Sequence, residues 1–178
     1  MKMRRIYFIL LIVLLITALV LCGTAIAYMY RQTEYKDNRF APAEVSCEAL
    51  EVFDGEQKTS VQIKNTGNTD SYLRVRLVSY WVDADGNIVG KPSKMPEITI
   101  EPGWIEGTNN TYYYQKPVAP DMTTNNLLSS PVLLEKDENE YSQVIEIFAE
   151  AIQSKPQNAV MNSWGVSVDS SGNITDAP

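Results

Sequence analysis

Residues 72–82 read Tyr-Leu-Arg-Val-Arg-Leu-Val-Ser-Tyr-Trp-Val and show the clearest alternation in the chain. Leu73, Val75, Leu77 and Trp81 occupy one set of alternate positions, and the other set includes both arginines of the segment. Because successive side chains of a β-strand point to opposite faces, this pattern predicts a strand with one buried face.

The segments on either side carry shorter patterns of the same kind. Residues 45–53 form the first strand candidate, and in residues 58–64 the alternation places Val61 and Ile63 inward. Later strand candidates are separated by Pro and Gly turns, and a short helical turn is predicted at residues 159–164. These strands are residues 97–101, 111–115, 127–134 and 165–169. Many short strands at this spacing predict an all-β domain, a jelly-roll-like β-sandwich over residues 45–178.

Residues 141–153 fit two patterns. Tyr141, Val144, Ile145, Phe148 and Ile152 fall on one helical face, yet alternate residues from 145 to 151 are also apolar, as in a strand. Periodicity alone does not decide between helix and strand here. The β-branched residues in the first half and the all-β context favour a strand.

The N-terminus has the three parts of a secretory signal peptide. Lys2, Arg4 and Arg5 precede an uncharged apolar run over residues 6–22, and Ala25-Ile26-Ala27 supplies small residues for cleavage. Cleavage after Ala27 would make Tyr28 the new N-terminus, so residues 1–27 are predicted to be a signal peptide.

Two alternatives to cleavage remain open. Residues 6–30 carry no charge and are long enough to cross a bilayer, so they could stay as an uncleaved membrane anchor. A lipid anchor on Cys22 is disfavoured because Leu21 is not a small residue. Residues 28–44 are polar and lack periodicity, which predicts a flexible N-terminal arm before the domain.

Charge and cysteine content limit the classes of partner. Removal of residues 1–27 leaves 12 basic and 22 acidic residues, a formal charge of −10. Such a surface repels nucleic acid and anionic lipid, and no basic cluster offsets it. Cys47 would then be the only cysteine, and it is interpreted as a small buried side chain on a strand.

The chain contains no histidine, which removes Ser-His and Cys-His nucleophile pairs and His-bearing zinc sites. Acidic pairs such as Glu146 with Glu150, or Asp83 with Asp85, are expected by chance among 22 acids and are interpreted as solvated surface. Residues 83–87, Asp-Ala-Asp-Gly-Asn, resemble the start of an EF-hand calcium loop, but the residues that follow lack the glycine and the glutamate that such a loop requires. The segment therefore predicts the tip of a β-hairpin. We therefore expect a non-enzyme without catalytic residues, bound metal or cofactor.

Several segments together resemble a known family. Their sequences are Lys-Asn-Thr-Gly-Asn-Thr-Asp-Ser-Tyr-Leu-Arg-Val at residues 64–75, Gly103-Trp104, Tyr-Tyr-Tyr-Gln-Lys-Pro-Val-Ala-Pro at 112–120, Ala-Glu-Ala-Ile-Gln at 149–153 and Trp-Gly-Val at 164–166. In this order they are similar to the TasA and camelysin family of exported proteins of Gram-positive bacteria, which depend on a SipW-type signal peptidase. Residues 23–28, Gly-Thr-Ala-Ile-Ala-Tyr, resemble the signal junction of that family.

The resemblance implies a jelly-roll subunit of biofilm-matrix fibres, with the SipW-type peptidase and other matrix subunits or copies of itself as partners. Camelysin-like proteins are also catalogued as metallopeptidases. A chain without histidine would have to build that metal site from carboxylates, which bind zinc weakly, so we discount this activity.

Two binding hypotheses follow for an exported protein at the cell surface. After cleavage, residues 28–40 could donate a strand to a neighbour, with Tyr28, Met29, Tyr30 and Phe40 as apolar contacts, or they could be a plain spacer. Alternatively, a membrane-tethered, adhesin-like module could bind ligands on an aromatic platform. Its candidate residues are Trp104, Tyr112 and Tyr114, although aromatic residues at strand spacing more often fill a core.

Overall fold

An uninterrupted helix, α1, runs from Lys2 to Gln32 in the computed structural model. The structure describes residues 2–32 and 42–178, with side chains described for 3–28 and 42–178. Over Met3–Tyr28 the helix is apolar and long enough to cross a membrane, a property that secretory signals near an N-terminus share. The chain divides into two units, Met1–Ala41 and Pro42–Pro178.

The second unit is mostly β-structure, as the alternation predicts. Its elements are β1 (Cys47–Phe53), β2 (Gln57–Asn65), β3 (Ser71–Val82), β4 (Ile88–Val89), β5 (Trp104–Glu106), β6 (Thr111–Tyr114), β7 (Val132–Leu133), β8 (Ser142–Gln153), α2 (Asn158–Trp164), β9 (Ser167–Val168) and β10 (Ile174–Asp176).

Strand β3 is the centre of the larger sheet. It pairs antiparallel with β8 along its whole length, from Ser71 opposite Gln153 to Val82 opposite Ser142. Its other edge pairs with β6 at residues 74–76 and with β4 at residues 81–82, and β5 follows β6. The predicted inward residues of β3 are all buried, which confirms the alternation that predicted this strand.

A smaller antiparallel sheet, in the order β1-β2-β7, contributes to the same core. Val61 and Ile63 of β2 are fully buried and cluster with Leu73 and Val75 of β3 and Ile145 of β8. Cys47, interpreted from the sequence as a small buried side chain on a strand, lies on β1 and is only half-buried at the margin of this core. Burial, followed by the nearby Glu150 carboxylate, raises the pKa of its thiol.

A second, smaller cluster covers part of the outward face of β3. Here α2 and the ribbon formed by β9 and β10 bring Val160, Trp164, Val166 and Ile174 against Tyr72 and Tyr113. The hydroxyl of Tyr72 donates a hydrogen bond of 2.8 Å to the carbonyl oxygen of Gly172. One end of β3 is therefore covered on both faces, whereas Arg76 further along is exposed.

Other predicted elements have mixed outcomes. Residues 141–153 form strand β8, and the short helix predicted at residues 159–164 is α2. The strands predicted at 97–101 and 127–134 are mostly irregular, and meet at the single bridge of Ile100 with Leu128. Strands β5 and β10 were not predicted, because three residues are too few for a readable alternation.

Candidate functional site

Arg74 lies at the centre of a group of interacting side chains that we call the Arg74 cluster: Arg74, Tyr113, Glu150 and Trp164. Its Nη2 and Nε atoms donate hydrogen bonds to Oε2 of Glu150 at 2.6 and 3.1 Å. Its guanidinium carbon lies 4.7 Å from the ring centroid of Trp164 and 5.8 Å from that of Tyr113. The cation is thus held by one carboxylate and two aromatic faces.

Strand register explains why these residues meet. Arg74 lies opposite Glu150 on β8 and opposite Tyr113 on β6, so the three side chains share the outward face of the sheet. Trp164 arrives from the end of α2, where Gly165 adopts a left-handed conformation with φ of 70° and ends the helix. Its ring packs edge-on against Tyr113 at 5.9 Å.

The Arg74 cluster draws one residue from each of four segments that carry the family resemblance. Residues 64–75, 112–120, 149–153 and 164–166 are distant in sequence, yet each supplies one member. The charges are paired, and the rings of Tyr113 and Trp164 are buried. This arrangement has no free nucleophile or base, and its chemistry is that of a structural clamp.

The Lys-Asn-Thr-Gly segment is also structural. Asn65 is fully buried, and its amide nitrogen donates to the carbonyl oxygens of Thr69 and Val118, both at 2.8 Å. A Cβ atom at Gly67 would lie 2.3 Å from the carbonyl oxygen of Glu44, so only glycine fits without movement. The loop therefore holds the chain where residues 42–46 enter the domain, with Asn68 N–H bonding Glu44.

The predicted aromatic platform is largely interior. Trp104 is 5% exposed and Tyr112 is 2% exposed, and both belong to the main core. Their burial argues against an exposed platform and agrees with the packing interpretation. Tyr114 is half-buried, packs edge-on against Trp104 at 5.1 Å, and borders a pocket of about 320 Å³. Lys116 and Asn125 also line this pocket.

The acidic loop at residues 83–87 is a hairpin tip, as predicted. One carboxylate oxygen of Asp83 accepts hydrogen bonds from the backbone N–H groups of Asp85 and Asn87, both at 2.9 Å. The pKa of Asp83 is lowered mainly by the hydrogen bonds that its carboxylate accepts from Asn87, first from the backbone and then from the side chain. Asp169 repeats this arrangement with Asn173. Both carboxylates are therefore used to close turns.

A buried lysine was not predicted from the sequence. Lys58 is 5% exposed; its ammonium pairs with Glu51 and donates to the carbonyl oxygen of Ile145 at 3.0 Å. The register of β1 and β2 shifts at this point, since Val52 faces Ser60 while Phe53 faces Lys58. The extra residue reverses the alternation and turns Lys58 inward. Such a bulge leaves no clear signal in the sequence.

The predicted cleavage residues Ala25, Ala27 and Tyr28 lie within α1 and are exposed. The helix continues through Met29 and Tyr30, whose side chains are outside the described set. Phe40, the last predicted contact of the arm, lies outside the described residues.

Candidate metal ligands are dispersed in the parts of the chain that the structure describes. Within residues 2–32 and 42–178, no group of three or more Cys, Asp or Glu residues is placed to hold a metal ion. Glu146 and Glu150 lie on β8, where Glu150 is paired with Arg74.

Comparison of the chain with protein-family models, with curated proteins and with solved structures gives no match.

Proposed function

We propose that this chain is an exported structural protein of the cell surface or extracellular matrix, a subunit that associates with copies of itself or with other matrix subunits. The apolar α1 and the β-rich second unit support this proposal, and so does the resemblance to the TasA and camelysin family. In this proposal the two sheets form a jelly-roll-like sandwich, and a SipW-type peptidase cleaves after Ala27.

The observation that carries the proposal is the open edge of β1. This strand ends the order β1-β2-β7, so among the described residues only its β2 edge is paired, and β8 lies close to it without pairing. The odd-numbered residues of β2 bond away from β1: Ile63, for example, accepts from the N–H of Thr124 at 2.9 Å. The paired register then directs the backbone groups of Cys47, Ala49 and Glu51 to the open edge.

Three apolar side chains near this edge are exposed, beside the exposed carboxylates of Glu48 and Glu51. Val52 is 56% exposed and Phe53 is 49% exposed, with Leu50 beside them at 37%. Soluble proteins usually protect an edge strand with charge, proline or a covering loop, because an open edge pairs readily with another chain. An open edge with exposed apolar side chains favours strand addition as the mode of association.

The proposed donor is the arm of a neighbouring subunit. Cleavage after Ala27 would release residues 28–40 from α1, and Tyr28, Met29, Tyr30 and Phe40 would supply apolar contacts beside Val52 and Phe53. Main-chain hydrogen bonds to β1 would give affinity, and the alternate side chains would give specificity.

The test is negative-stain electron microscopy of the purified chain after cleavage. We expect concentration-dependent fibres from the cleaved protein and none from a variant that lacks residues 28–40. Equal fibre formation by that variant would exclude the donor arm. Strictly monomeric protein at every concentration would contradict the matrix-subunit proposal itself.

A matched pair of lysine substitutions distinguishes an effect at the open edge of β1 from a general effect of added charge on solubility. V52K places a charge at the open edge, whereas I88K places the same charge on β4 at a side chain that is 73% exposed. We expect V52K to suppress fibres and I88K to leave them intact. Equal effects of the two would show that β1 is not the contact.

The pocket beside Tyr114 favours a second candidate function, a membrane-tethered surface binding module. A half-buried aromatic ring next to the amides of Gln115 and Asn125 is suited to sugars or peptides. Binding of a glycan array by strictly monomeric protein, lost in Y114A and kept in Y141A, would support this function.

A further inference from the structure

The edge of β3 that faces β6 and β4 contains a gap. It pairs with β6 at residues 74–76 and with β4 at residues 81–82, and residues 77–80 lie between these pairings. At about 3.3 Å per residue, this leaves roughly 13 Å of central strand that no strand of the described residues (2–32 and 42–178) pairs with on that edge. The unpaired stretch is confined to this edge of β3, because β8 pairs with the opposite edge along its whole length.

The register shows which backbone groups face the gap. The N–H of Leu77 bonds the carbonyl oxygen of Asn110 at 3.0 Å, so odd-numbered residues of β3 bond toward this edge. The carbonyl oxygen of Leu77, and both the N–H and the carbonyl oxygen of Ser79, are therefore directed into the gap. One extended residue placed opposite Ser79 would satisfy both of its groups.

A pocket of about 440 Å³ occupies this gap, between Ser93 and Met95 on one side and Asn109 and Asn110 on the other. The wall formed by residues 93–95 is held in place by Gln143, which is 3% exposed. Its amide nitrogen donates to the carbonyl oxygen of Lys94 at 2.8 Å and to the hydroxyl of Ser79 at 3.0 Å. The gap is thus a preformed slot, which lowers the entropic cost of binding.

Arg76 gives the slot a charge preference. It lines the pocket and is exposed, with its guanidinium carbon 5.7 Å from the ring centroid of Phe148. Within residues 3–28 and 42–178, no carboxylate lies within 4.0 Å of Arg76, unlike Arg74, which is paired with Glu150. A carboxylate on a ligand would complete this site.

We propose that this slot binds a short extended peptide from a partner protein, with one acidic group next to Arg76. The strand edge at Ser79 supplies main-chain hydrogen bonds, and Arg76 selects the acid. The tip of the β5–β6 hairpin and β4 limit the bound segment to about three residues. The net negative charge of the chain disfavours peptides with several acids. This site is separate from the open edge of β1 and does not depend on polymerisation.

The experiment uses the full chain, isotopically labelled and purified in detergent micelles. Two fluorescein-labelled, C-terminally amidated peptides, Val-Glu-Val and Val-Gln-Val, are titrated by fluorescence polarisation and by amide NMR. We expect the glutamate peptide to bind more tightly, and the backbone amide of Ser79 to be among the resonances that move most.

Three variants define the site. R76Q should weaken the glutamate peptide about fivefold or more and leave the glutamine peptide unchanged. K136Q, at an exposed lysine outside the slot, should leave both peptides unchanged. V78W should fill the slot and weaken both peptides, and an unchanged melting temperature would show that this variant is folded.

Absence of binding by both peptides at about 1 mM would overturn the proposal. Binding that leaves the Ser79 amide unmoved, or that R76Q and K136Q weaken equally, would overturn it too. If oligosaccharides shift Ser79 and the peptides do not, the slot is a carbohydrate site and the peptide assignment is wrong.

Discussion

Replacement of Arg74 by alanine tests whether the Arg74 cluster is a structural clamp. The change removes an ion pair with Glu150, whose side chain is 49% exposed, and this pair is worth about 0.5–1 kcal/mol. It also removes the cation that lies 4.7 Å from the Trp164 ring, worth about 1 kcal/mol at a partly buried site. Loss of packing by the side-chain stem adds about 0.5 kcal/mol. The expected loss in free energy of unfolding is therefore about 2 kcal/mol.

Urea unfolding followed by tryptophan fluorescence measures this loss in the full chain. Trp81, Trp104 and Trp164 all lie in the second unit, so the signal reports that unit and not α1. For a domain of this size, about 2 kcal/mol lowers the urea midpoint by roughly 1 M if the slope is unchanged.

R76A is the matched control, because Arg76 lies two positions along the same face and stacks on the Phe148 ring, with no ion pair among the described residues. We expect it to cost about 0.5 kcal/mol. R74K should fall between the two variants, since lysine keeps the charge but loses the planar fork. If R74A destabilises no more than R76A, the clamp is not a significant source of stability, and its four segments need another explanation.

Three further predictions concern fixed local geometry. G67A should lower the free energy of unfolding by at least about 2 kcal/mol in the same urea assay, since the added Cβ would lie 2.3 Å from the Glu44 carbonyl oxygen. An unchanged free energy of unfolding would contradict this close approach. Burial raises the pKa of Tyr112 to about 12, so stability present below pH 10 should be lost as pH rises from 10 to 12, and Y112F should flatten that part of the curve. Hydrogen bonds, chiefly from the backbone and side chain of Asn173, lower the folded-state pKa of Asp169 below its ordinary value. Asp169 therefore contributes stability at pH values above the ordinary pKa of an aspartate, and this contribution is lost as the pH falls through the lowered folded-state pKa. D169N should reduce the loss of stability at acidic pH, measured by thermal unfolding.

Long strands with one buried face were predictable from the sequence. The alternation around Leu73 and Val75 predicts β3 because burial of that face imposes a period of two over many residues. Residues 141–153 carried two periods, and only pairing with all of β3 selects the strand. Lys58 was missed because the adjacent bulge reverses the alternation within one residue.

The Arg74 cluster was beyond sequence reasoning for a different reason. Its four segments were visible as motifs, but their meeting depends on the register of β3 against β6 and β8 and on where α2 ends. Such long-range register is not encoded in any single segment. The aromatic run at 112–114 shows the same limit, because the sequence did not fix which rings the core would enclose.

The long pairing of β3 with β8 has a consequence for the order of synthesis and export. Ser71 pairs with Gln153, 82 positions later in the chain, so the central sheet cannot close until residue 153 has emerged. Contacts between such distant residues also form slowly. If the chain is exported as proposed, this delay would keep it unfolded while it passes through a translocation channel, and it would fold only after it has crossed the membrane.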